Sequence, residues 1–436
     1  MKVLFLTTYS VAIRYEHYFT RNVWKYLAKH QEQSESENEL VLGTILTDAA
    51  GECYQERDEC DGHAYYKLHL RNGLSREESV GHIADFFASI APSVIHSNMI
   101  EGLDVEAAAS LGIPICLTIH IGGFVCPRGG GSGFLRYDDS ICNQAVSKRC
   151  ARCVCCNLPA PAVSYGLYKL FPDWLADCIT SHLHRNLFYL TPFLMMRQSV
   201  LDRMRCIGLY KKAAVIAANK KLAGLLALNG LSENVRLIPH GVEERPRLSF
   251  PTIDGKVKLF FLGRVQRSKG LHVLLKALEG IDNSRYELHV IGDAEPARRE
   301  QRYYRKMLKM VQGKSVVFHG RLPNDKIDPV IRDMHVMVFP TIFLEVYGIS
   351  VAESLSIGRP VLATRCGGAE MQVEDGINGW LVEPNSVQEL RGKIQWLLDN
   401  PTSIKAAAAN ARLPHSITGY VDKLWNLYKE LSGKKQ

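Results

Sequence analysis

Short apolar runs of strand-forming residues alternate with amphipathic helical segments along the chain, and this alternation is the strongest constraint on the fold. A predicted strand at Val3–Thr7 is followed by a predicted helix at Glu16–His30 and a second strand at Leu40–Leu46. Further β-rich runs occupy Ser93–His96 and Ile115–His120. Strands separated by helices need crossover connections, so the pattern predicts a parallel sheet covered by helices on both faces.

The second half of the chain restarts the same architecture. After a stretch rich in proline and charge at residues 239–255, a strand in KLFFLGR leads to a helix beginning at Gly270. The remaining predicted strands of this half are Glu287–Ile291, Val316–His319, Val336–Pro340 and Pro360–Thr364. Because 436 residues exceed one ordinary core, we predict an α/β protein of two doubly wound, Rossmann-like domains.

We expect the first domain to span residues 1–240 and the second to span residues 241–414, with a helix in residues 415–436. A glycine- and cysteine-rich insert at residues 122–157 interrupts the first domain. The net charge of +8 favours phosphate-bearing partners or an anionic membrane surface over long duplex DNA. We identify no element that interleaves clustered Lys and Arg with aromatic residues, so we expect no nucleic-acid partner. The N-terminus lacks the apolar region of a secretory signal and no run could span a bilayer, so we predict a cytoplasmic protein.

The strongest local motif is LFFLGRVQRSKG, in which Arg264 and Lys269 follow the end of a buried strand. The carboxyl edge of a parallel sheet, near helix N-termini, is where phosphates bind. An ordinary strand-loop-helix with solvated charges is the alternative interpretation.

A second motif, FLEVYGISVAESLSIGRPVLAT, places Glu345 in a loop and Glu353 eight positions later in an apolar helix that Gly348 opens. The start of that helix offers free N–H groups to an anion. A carboxylate in so apolar a helix is partly buried and needs hydrogen-bond donors. In a third motif, Gly367 and Gly368 end a strand and permit a close backbone approach, and the following DGINGWLV suggests a hairpin.

In order, these motifs resemble those of the retaining family 4 glycosyltransferases, which have the GT-B fold of two facing Rossmann-like domains with an interdomain cleft. The resemblance covers the second domain almost from end to end and implies a role for each matching residue. Arg264 and Lys269 would bind the diphosphate of a UDP-, GDP- or similar sugar donor, Glu353 would hold its ribose, and Glu345 would contact its sugar. The donor site would further contain the start of the apolar helix and the double glycine: Gly348, Ile349, Ser350, Gly367 and Gly368.

The implied reaction moves a hexosyl group to a hydroxyl acceptor, with retention attributed to front-face attack in which the leaving phosphate takes the acceptor's proton. The chain contains no Asp-x-Asp triplet, so we expect no Mg²⁺ or Mn²⁺ held in that way, and the two cations would stabilise the departing nucleotide. The family also implies a final helix, here Gly419–Leu431, that crosses back to the first domain. Envelope polysaccharide or glycolipid synthesis is the expected pathway, and a small natural product is the alternative acceptor.

The first domain matches the family less well. His120 matches a histidine near the donor sugar and is expected to be catalytic, and His96 matches another strand-end histidine. A lone strand-end histidine is more often structural, so both interpretations stay open. The family's Gly-Gly turn after the first strand is replaced by YSVAIRYEHYF, in which Glu16 is the nearest acid.

Six cysteines crowd between Cys126 and Cys156, which in a cytoplasmic chain favours a metal site over disulfides. Cys126, Cys142, Cys150 and Cys153 have spacings that suit tetrahedral Zn²⁺, with an iron–sulfur cluster or free thiols as alternatives. Cys155 and Cys156 are possible replacements. A subset of the resembling family has a similar cysteine pattern here.

A basic, aromatic segment at residues 185–212 suggests contact with an anionic membrane, and a core helix with a solvated face is the alternative. Membrane contact would favour a lipid-linked acceptor at the inner face of the membrane. Two other classes of function remain open. One is a GT-B enzyme that transfers no sugar, such as a sugar-nucleotide epimerase or a phosphorylase, and the other is a relative that only binds its ligand.

Overall fold

The computed structural model describes residues 1–7, 18–33, 38–129, 133–156, 161–170 and 192–433. The chain divides into two compact units. The first comprises Met1–Gly130, Gln144–Gly241 and Ile417–Gln436, and the second comprises Gly131–Asn143 and Val242–Ser416. No helix of the described residues has the length and apolar character that crossing a membrane requires.

The first unit is built on an eight-stranded sheet whose order is β3-β4-β2-β1-β5-β6-β7-β8. Its strands are β1 (Lys2–Thr7), β2 (Glu39–Ala49), β3 (Tyr54–Cys60), β4 (His63–Arg71), β5 (Val94–Ser97), β6 (Ile115–Thr118), β7 (Ala214–Ala217) and β8 (Val235–Leu237). All neighbouring pairs are parallel except β3–β4. The central strands are buried along their whole length, as strands covered by helices on both faces must be.

Helices connect these strands and cover the sheet. Those of the first two segments of the unit are α1 (Tyr18–Gln33), α2 (Arg76–Ile90), α3 (Leu103–Ser110), α4 (Ala151–Cys155), α5 (Pro161–Leu170), α6 (Pro192–Tyr210) and α7 (Lys220–Leu228). Local sequence sets their ends. Ser75 accepts a hydrogen bond from the N–H of Glu78, whose carboxylate bonds back to the N–H of Ser75, so a capping box starts α2.

The second unit has a six-stranded, all-parallel sheet of order β11-β10-β9-β12-β13-β14. Its strands are β9 (Val257–Leu262), β10 (Tyr286–Ile291), β11 (Val316–Gly320), β12 (Val336–Phe339), β13 (Val361–Thr364) and β14 (Gly379–Val382). This is the Rossmann order, in which the chain leaves the central strand first to one side and then to the other. The point of reversal lies between β9 and β12.

The helices of the second unit are α8 (Leu271–Ala277), α9 (Arg298–Met310), α10 (Asn324–Ile331), α11 (Ile349–Ser356), α12 (Val387–Asp399) and α13 (Pro401–Asn410). The last helix of the chain, α14 (Ile417–Gly433), returns to the first unit. There Tyr420, Trp425 and Tyr428 join the core that contains Phe5 and Trp24. The predicted pair of Rossmann-like α/β domains is confirmed.

A short hairpin from the cysteine-rich insert also belongs to the second unit. We call residues 133–143 the insert hairpin. Leu135 and Ile141 form its antiparallel bridge, and Leu135 is 2% exposed in the core that contains Val265 and Leu271. The Asp139 carboxylate accepts a hydrogen bond from the Arg267 guanidinium. The insert hairpin, which lies in the sequence between two parts of the first unit, therefore contributes to the core of the second unit.

Two local predictions differ from the structure. The sequence analysis missed the hairpin of β3 and β4, because β3 is exposed along nearly its whole length and shows no apolar alternation. The prediction of a hairpin at DGINGWLV was wrong, because β14 in this segment pairs in parallel with β13. Its turn holds only an isolated bridge between Asp375 and Gly379.

Candidate functional site

The predicted donor-site motifs follow three neighbouring strands of the second unit. Arg264 follows β9, Glu345 follows β12, and Gly367 follows β13. Because β9, β12 and β13 are adjacent and parallel, these residues meet at the carboxyl edge of the sheet. That edge, at the point where the strand order reverses, is the usual ligand site of open α/β sheets.

Lys269 and Glu345 form an ion pair at this edge. The Lys269 Nζ lies 2.5 Å from Glu345 Oε2, and the two side chains are only 17% and 14% exposed. The ammonium also lies 5.6 Å from the ring centroid of Phe339 and 5.2 Å from that of Phe343, within the range of cation–π attraction. A carboxylate and two aromatic rings thus hold the lysine in one place.

Backbone hydrogen bonds fix the loop that carries Glu345. The Glu345 N–H donates to the carbonyl of Cys366 at 2.8 Å, and the Gly368 N–H donates to the carbonyl of Glu345 at 2.9 Å. A Cβ atom on Gly368 would lie 2.3 Å from the carbonyl oxygen of Tyr347, so only glycine fits. The group that closely approaches the double glycine is therefore the backbone of Tyr347. The neighbouring Gly367 N–H donates to the Glu370 carboxylate at 2.8 Å.

The helix α11 begins beside this ion pair. Gly348 precedes it in the left-handed conformation, with a φ of 82°, and provides no side-chain cap. A Cβ at Gly348 would lie 3.7 Å from Glu345 Cγ. The first N–H groups of a helix, here those of Ile349 and Ser350, have no partner inside it and carry its positive dipole end. The structure thus brings together Lys269, Glu345 and an uncapped helix N-terminus.

Glu353 lies one turn into α11 and is 22% exposed. Burial raises the pKa of its carboxyl to about 7, the Arg245 guanidinium opposes this rise, and the nearby Asp328 and Glu243 add to it. The Arg245 guanidinium lies 4.0 Å from Glu353 Oε1 and donates to Asp328 at 2.7 Å. Sequence reasoning missed Arg245, whose only signal was its place in the charged stretch at residues 239–255.

Arg264 differs from these residues because it is exposed. Among the residues that the structure describes, its guanidinium makes no hydrogen bond or ion pair. Its position is nevertheless fixed by the backbone, since the Gly263 N–H donates to Ile291 at 3.0 Å and the Val265 N–H donates to Asp293 at 2.9 Å. The backbone therefore places Arg264 at the strand-end edge, and no carboxylate of the described residues pairs with its guanidinium.

The two histidines of the first unit have different environments. His120 is half-buried, and its Nε2 donates to Asn98 Oδ1 at 2.5 Å. His96 is fully buried between Tyr428 and Thr118, at 2.5 Å and 2.7 Å. Burial lowers the pKa of His96 to about 3, with a smaller effect from His120. His96 is therefore a neutral, structural histidine, and the catalytic role of His120 stays a prediction.

The predicted zinc or iron–sulfur site is not found. In the described part of the chain, no three His, Cys, Asp or Glu residues are arranged to hold a metal ion. Cys142 belongs to the second unit, where its N–H donates to Phe134, whereas Cys126, Cys150 and Cys153 belong to the first. Spacing along the sequence could not reveal this division.

Two further predictions fall wholly or partly outside the described residues. The loop after β1, with Glu16, lies there, and so does the segment from Arg185 to residue 191. Of the described arginines of α6, Arg205 is exposed and pairs with Asp202 at 3.7 Å, whereas the other two are engaged inside the first unit. Arg197 is 9% exposed, and Arg203 donates to the carbonyls of Ile100 and Gly123 at 3.1 Å and 3.0 Å.

Comparison with known families gives one match, to Glycosyl transferases group 1, over residues 244–413. This stretch contains every predicted donor-site residue of the second unit. The match thus lies within the second unit and covers less than half of the chain.

Curated relatives match a similar part of the chain. A D-inositol 3-phosphate glycosyltransferase of Acidothermus cellulolyticus is 28% identical over 209 residues, which cover 44% of this chain and 46% of that protein. The D-rhamnosyltransferase WbpZ of Pseudomonas aeruginosa is 28% identical over 189 residues, which cover 41% of this chain and 48% of that protein. The chain thus aligns with about half the length of these relatives.

Solved structures match the whole chain. Anabaena HepE in complex with UDP and glucose has a TM-score of 0.63 at 16% identity and covers 99% of this chain and 100% of its own. Sucrose-phosphate synthase of Thermosynechococcus elongatus has the same TM-score and identity and covers 100% of both chains. At this identity the likeness shows the GT-B fold alone.

Proposed function

We propose that this chain transfers a hexosyl group from a nucleotide sugar to a hydroxyl acceptor with retention of anomeric configuration. The observation that carries the proposal is the mostly buried Lys269–Glu345 pair beside the uncapped start of α11. A diphosphate ligand needs fixed positive charge, and this edge of the sheet provides Lys269, Arg264 and a helix N-terminus. The family match over residues 244–413 supports the same assignment.

In the proposed reaction, the bond between the anomeric carbon and the β-phosphate oxygen breaks, and a bond from that carbon to the acceptor oxygen forms. The acceptor's proton passes to the leaving phosphate, so the protein need not supply a carboxylate nucleophile. Negative charge grows on the diphosphate as it leaves, and Lys269 and Arg264 would stabilise that charge. Removing one such group is expected to lower the rate by about 10²–10³.

The Glu345 carboxylate would orient the lysine for this task. An ammonium group has three donors, so Lys269 has donors left for phosphate oxygens while it keeps its bond to Glu345. Glu345 would also contact the donor sugar. Glu353 would accept hydrogen bonds from the ribose hydroxyls, which provide the donors that a partly buried carboxylate needs.

For the donor we propose a uridine nucleotide first, because the similar Anabaena structure holds UDP. For the acceptor we propose a precursor of a polysaccharide or glycolipid, with a small natural product as the alternative. An epimerase would bind the same nucleotide sugar without a hydroxyl acceptor, whereas a phosphorylase would use inorganic phosphate to break a glycosidic bond and release a sugar phosphate. A protein that only binds the nucleotide would keep the affinity and lack turnover.

Calorimetry and thermal melting with UDP-, GDP-, ADP- and dTDP-sugars test the donor site. A ligand at 100 times its dissociation constant stabilises by about 2.7 kcal/mol, which raises Tm by several degrees. We expect one nucleotide class to do so, with the effect lost in Lys269→Ala and Glu353→Ala. Lys276→Ala is the matched control, because Lys276 is an exposed cation in the last turn of α8.

Product analysis separates the alternatives. Incubation with the stabilising donor and a hydroxyl acceptor should yield a glycoside whose anomeric configuration, read by NMR coupling constants, equals that of the donor. Inversion would refute retention, and an epimerised donor or a sugar phosphate would refute transfer. Failure of every nucleotide sugar to bind would refute the donor site itself.

A further inference from the structure

The helix α9 carries the densest positive charge among the described elements of the second unit. Its sequence, RREQRYYRKMLKM, has six cationic residues and one acidic residue in 13 positions. The cations are Arg298, Arg299, Arg302, Arg305, Lys306 and Lys309, and all six are exposed. At 100° per residue, spacings of four, seven, eight and eleven positions place them on one face of the helix, which we call the basic stripe.

Packing holds this stripe away from the core. On the opposite face, Met307 is fully buried, and the Tyr303 hydroxyl hydrogen-bonds to His272 Nδ1 at 2.9 Å. Tyr304 makes an edge-to-face contact with Phe318 at 5.9 Å between ring centroids. The helix therefore cannot rotate to hide its charges without losing these contacts.

Few acidic side chains neutralise the positive charges of the basic stripe. In the part of the chain that the structure describes, Arg298, Arg302, Arg305, Lys306 and Lys309 form no ion pair with an acidic side chain. Cations three and four positions apart on a helix repel each other. Some other exposed arginines of the unit are paired, as Arg285 is with Asp399 at 2.6 Å. An arrangement that opposes helix stability points to an anionic partner.

The charge distribution gives a second place for the membrane contact that the sequence suggested. That prediction placed it at residues 185–212, where Arg197 and Arg203 are engaged inside the first unit. Arg205, Lys211 and Lys212 are exposed there, and Arg205 pairs with Asp202. In contrast to Arg197 and Arg203, the six cations of the basic stripe are all exposed and lie on one face of the helix. Leu308, 40% exposed at its border, adds an apolar contact of the kind found in interfacial helices.

We propose that the basic stripe of α9 docks the protein on the headgroups of an anionic phospholipid bilayer. A straight helix of 13 residues presents a flat row about 20 Å long, and a flat anionic surface can contact all of its cations at once. Single-stranded nucleic acid is disfavoured because Tyr303 and Tyr304 face inward, which leaves no exposed ring in the stripe for base stacking. The expectation that no element interleaves clustered cations with aromatic residues was wrong for this helix, in which Tyr303 and Tyr304 stand between Arg302 and Arg305.

Sedimentation with vesicles tests the proposal without any sugar donor, so its outcome is independent of the proposed glycosyltransferase activity. We expect the protein to bind vesicles of phosphatidylcholine with 30% phosphatidylglycerol and not those of phosphatidylcholine alone. Arg302→Gln/Lys306→Gln/Lys309→Gln should weaken binding at least tenfold, and 0.5 M NaCl should do the same, since surface charges are screened by salt. Arg302→Lys keeps the charge and should bind like the unchanged protein.

The matched control is Lys405→Gln/Lys423→Gln/Lys429→Gln, which removes three exposed lysines from α13 and α14. It should bind the anionic vesicles as the unchanged protein does. An equal loss in both triple variants would overturn the proposal, because net charge and not the stripe would then be responsible. Binding to an RNA oligonucleotide through Arg302, Lys306 and Lys309, without binding to vesicles, would overturn it as well.

Discussion

Replacing Glu353 with glutamine should stabilise the free protein at alkaline pH while it removes donor binding. Burial raises the pKa of this carboxyl from the usual 4.5 to about 7. The folded protein therefore binds a proton more tightly than the unfolded chain does between these two pH values. The free energy of unfolding must fall as the pH rises through this window, because the folded state there binds more protons than the unfolded state.

The size of the effect follows from the shift. A rise from 4.5 to about 7, at 1.36 kcal/mol per unit, corresponds to about 3 kcal/mol of lost stability above pH 7. Below pH 4.5 the carboxyl is neutral in both states and no loss remains. Glutamine has nearly the same shape as glutamate and no charge, so the variant should not lose stability through ionisation of a buried carboxyl. We expect Glu353→Gln to exceed the unchanged protein by about 2–3 kcal/mol at pH 8 and to match it near pH 4.5.

Urea unfolding at pH 4.5, 6 and 8 measures this difference. Glu374→Gln, which removes an exposed carboxylate, should change little at any pH. The same Glu353→Gln protein should lose affinity for the nucleotide sugar, because a neutral amide accepts hydrogen bonds from ribose more weakly than a carboxylate. A constant difference between Glu353→Gln and the unchanged protein across the pH range would refute the reasoning, since only titration of the carboxyl makes the difference depend on pH.

Three further changes test the geometry of the second unit. Lys269→Ala should lower the free energy of unfolding by about 3 kcal/mol because it removes the ammonium partner of a mostly buried carboxylate. Adding Glu345→Ala should restore part of that loss in a double-mutant cycle. Gly368→Ala should destabilise by more than 2 kcal/mol, because its Cβ would lie 2.3 Å from a backbone oxygen. Gly392→Ala, where no atom lies within 4 Å, should be neutral or stabilising in thermal melts. Asp139→Asn should weaken donor affinity a few fold in calorimetry, because its carboxylate pairs with the turn that ends at Lys269; an unchanged affinity would mean that the insert hairpin does not position that turn.

The core of the fold was predictable because buried parallel strands have a strong sequence signal. β9 and β12 are short apolar runs between helices, and a run buried on both faces tolerates little else. The place of the proposed donor-site residues followed from the same signal, since strand ends in a parallel sheet lie on one edge, whereas their roles came from the family resemblance. Lys269 and Glu345 are 76 positions apart, yet topology alone brings them together.

The remaining features depend on contacts that sequence patterns do not encode. Arg245 approaches Glu353 from a stretch without periodicity, so no pattern joined the two residues. The spacing of Cys126, Cys142, Cys150 and Cys153 was compatible with a metal, but spacing does not say which unit each residue joins. The exposed strand β3 lacks the apolar alternation that identifies strands, because it buries almost nothing.

The insert hairpin has a consequence for the order in which the protein can be made. Leu135 leaves the ribosome more than 100 residues before the strands of the second unit that it packs against, and α14, which completes the first unit, is synthesised after the second unit. Domains of most chains fold one after the other during synthesis. Here the first unit cannot complete its fold before the second unit has been synthesised, and the second unit needs a hairpin that lies within the sequence of the first. A fragment beginning at Val242 would lack Leu135 and lose about 2–5 kcal/mol of packing. A fragment ending at Gly241 would leave the surface that α14 covers exposed to aggregation.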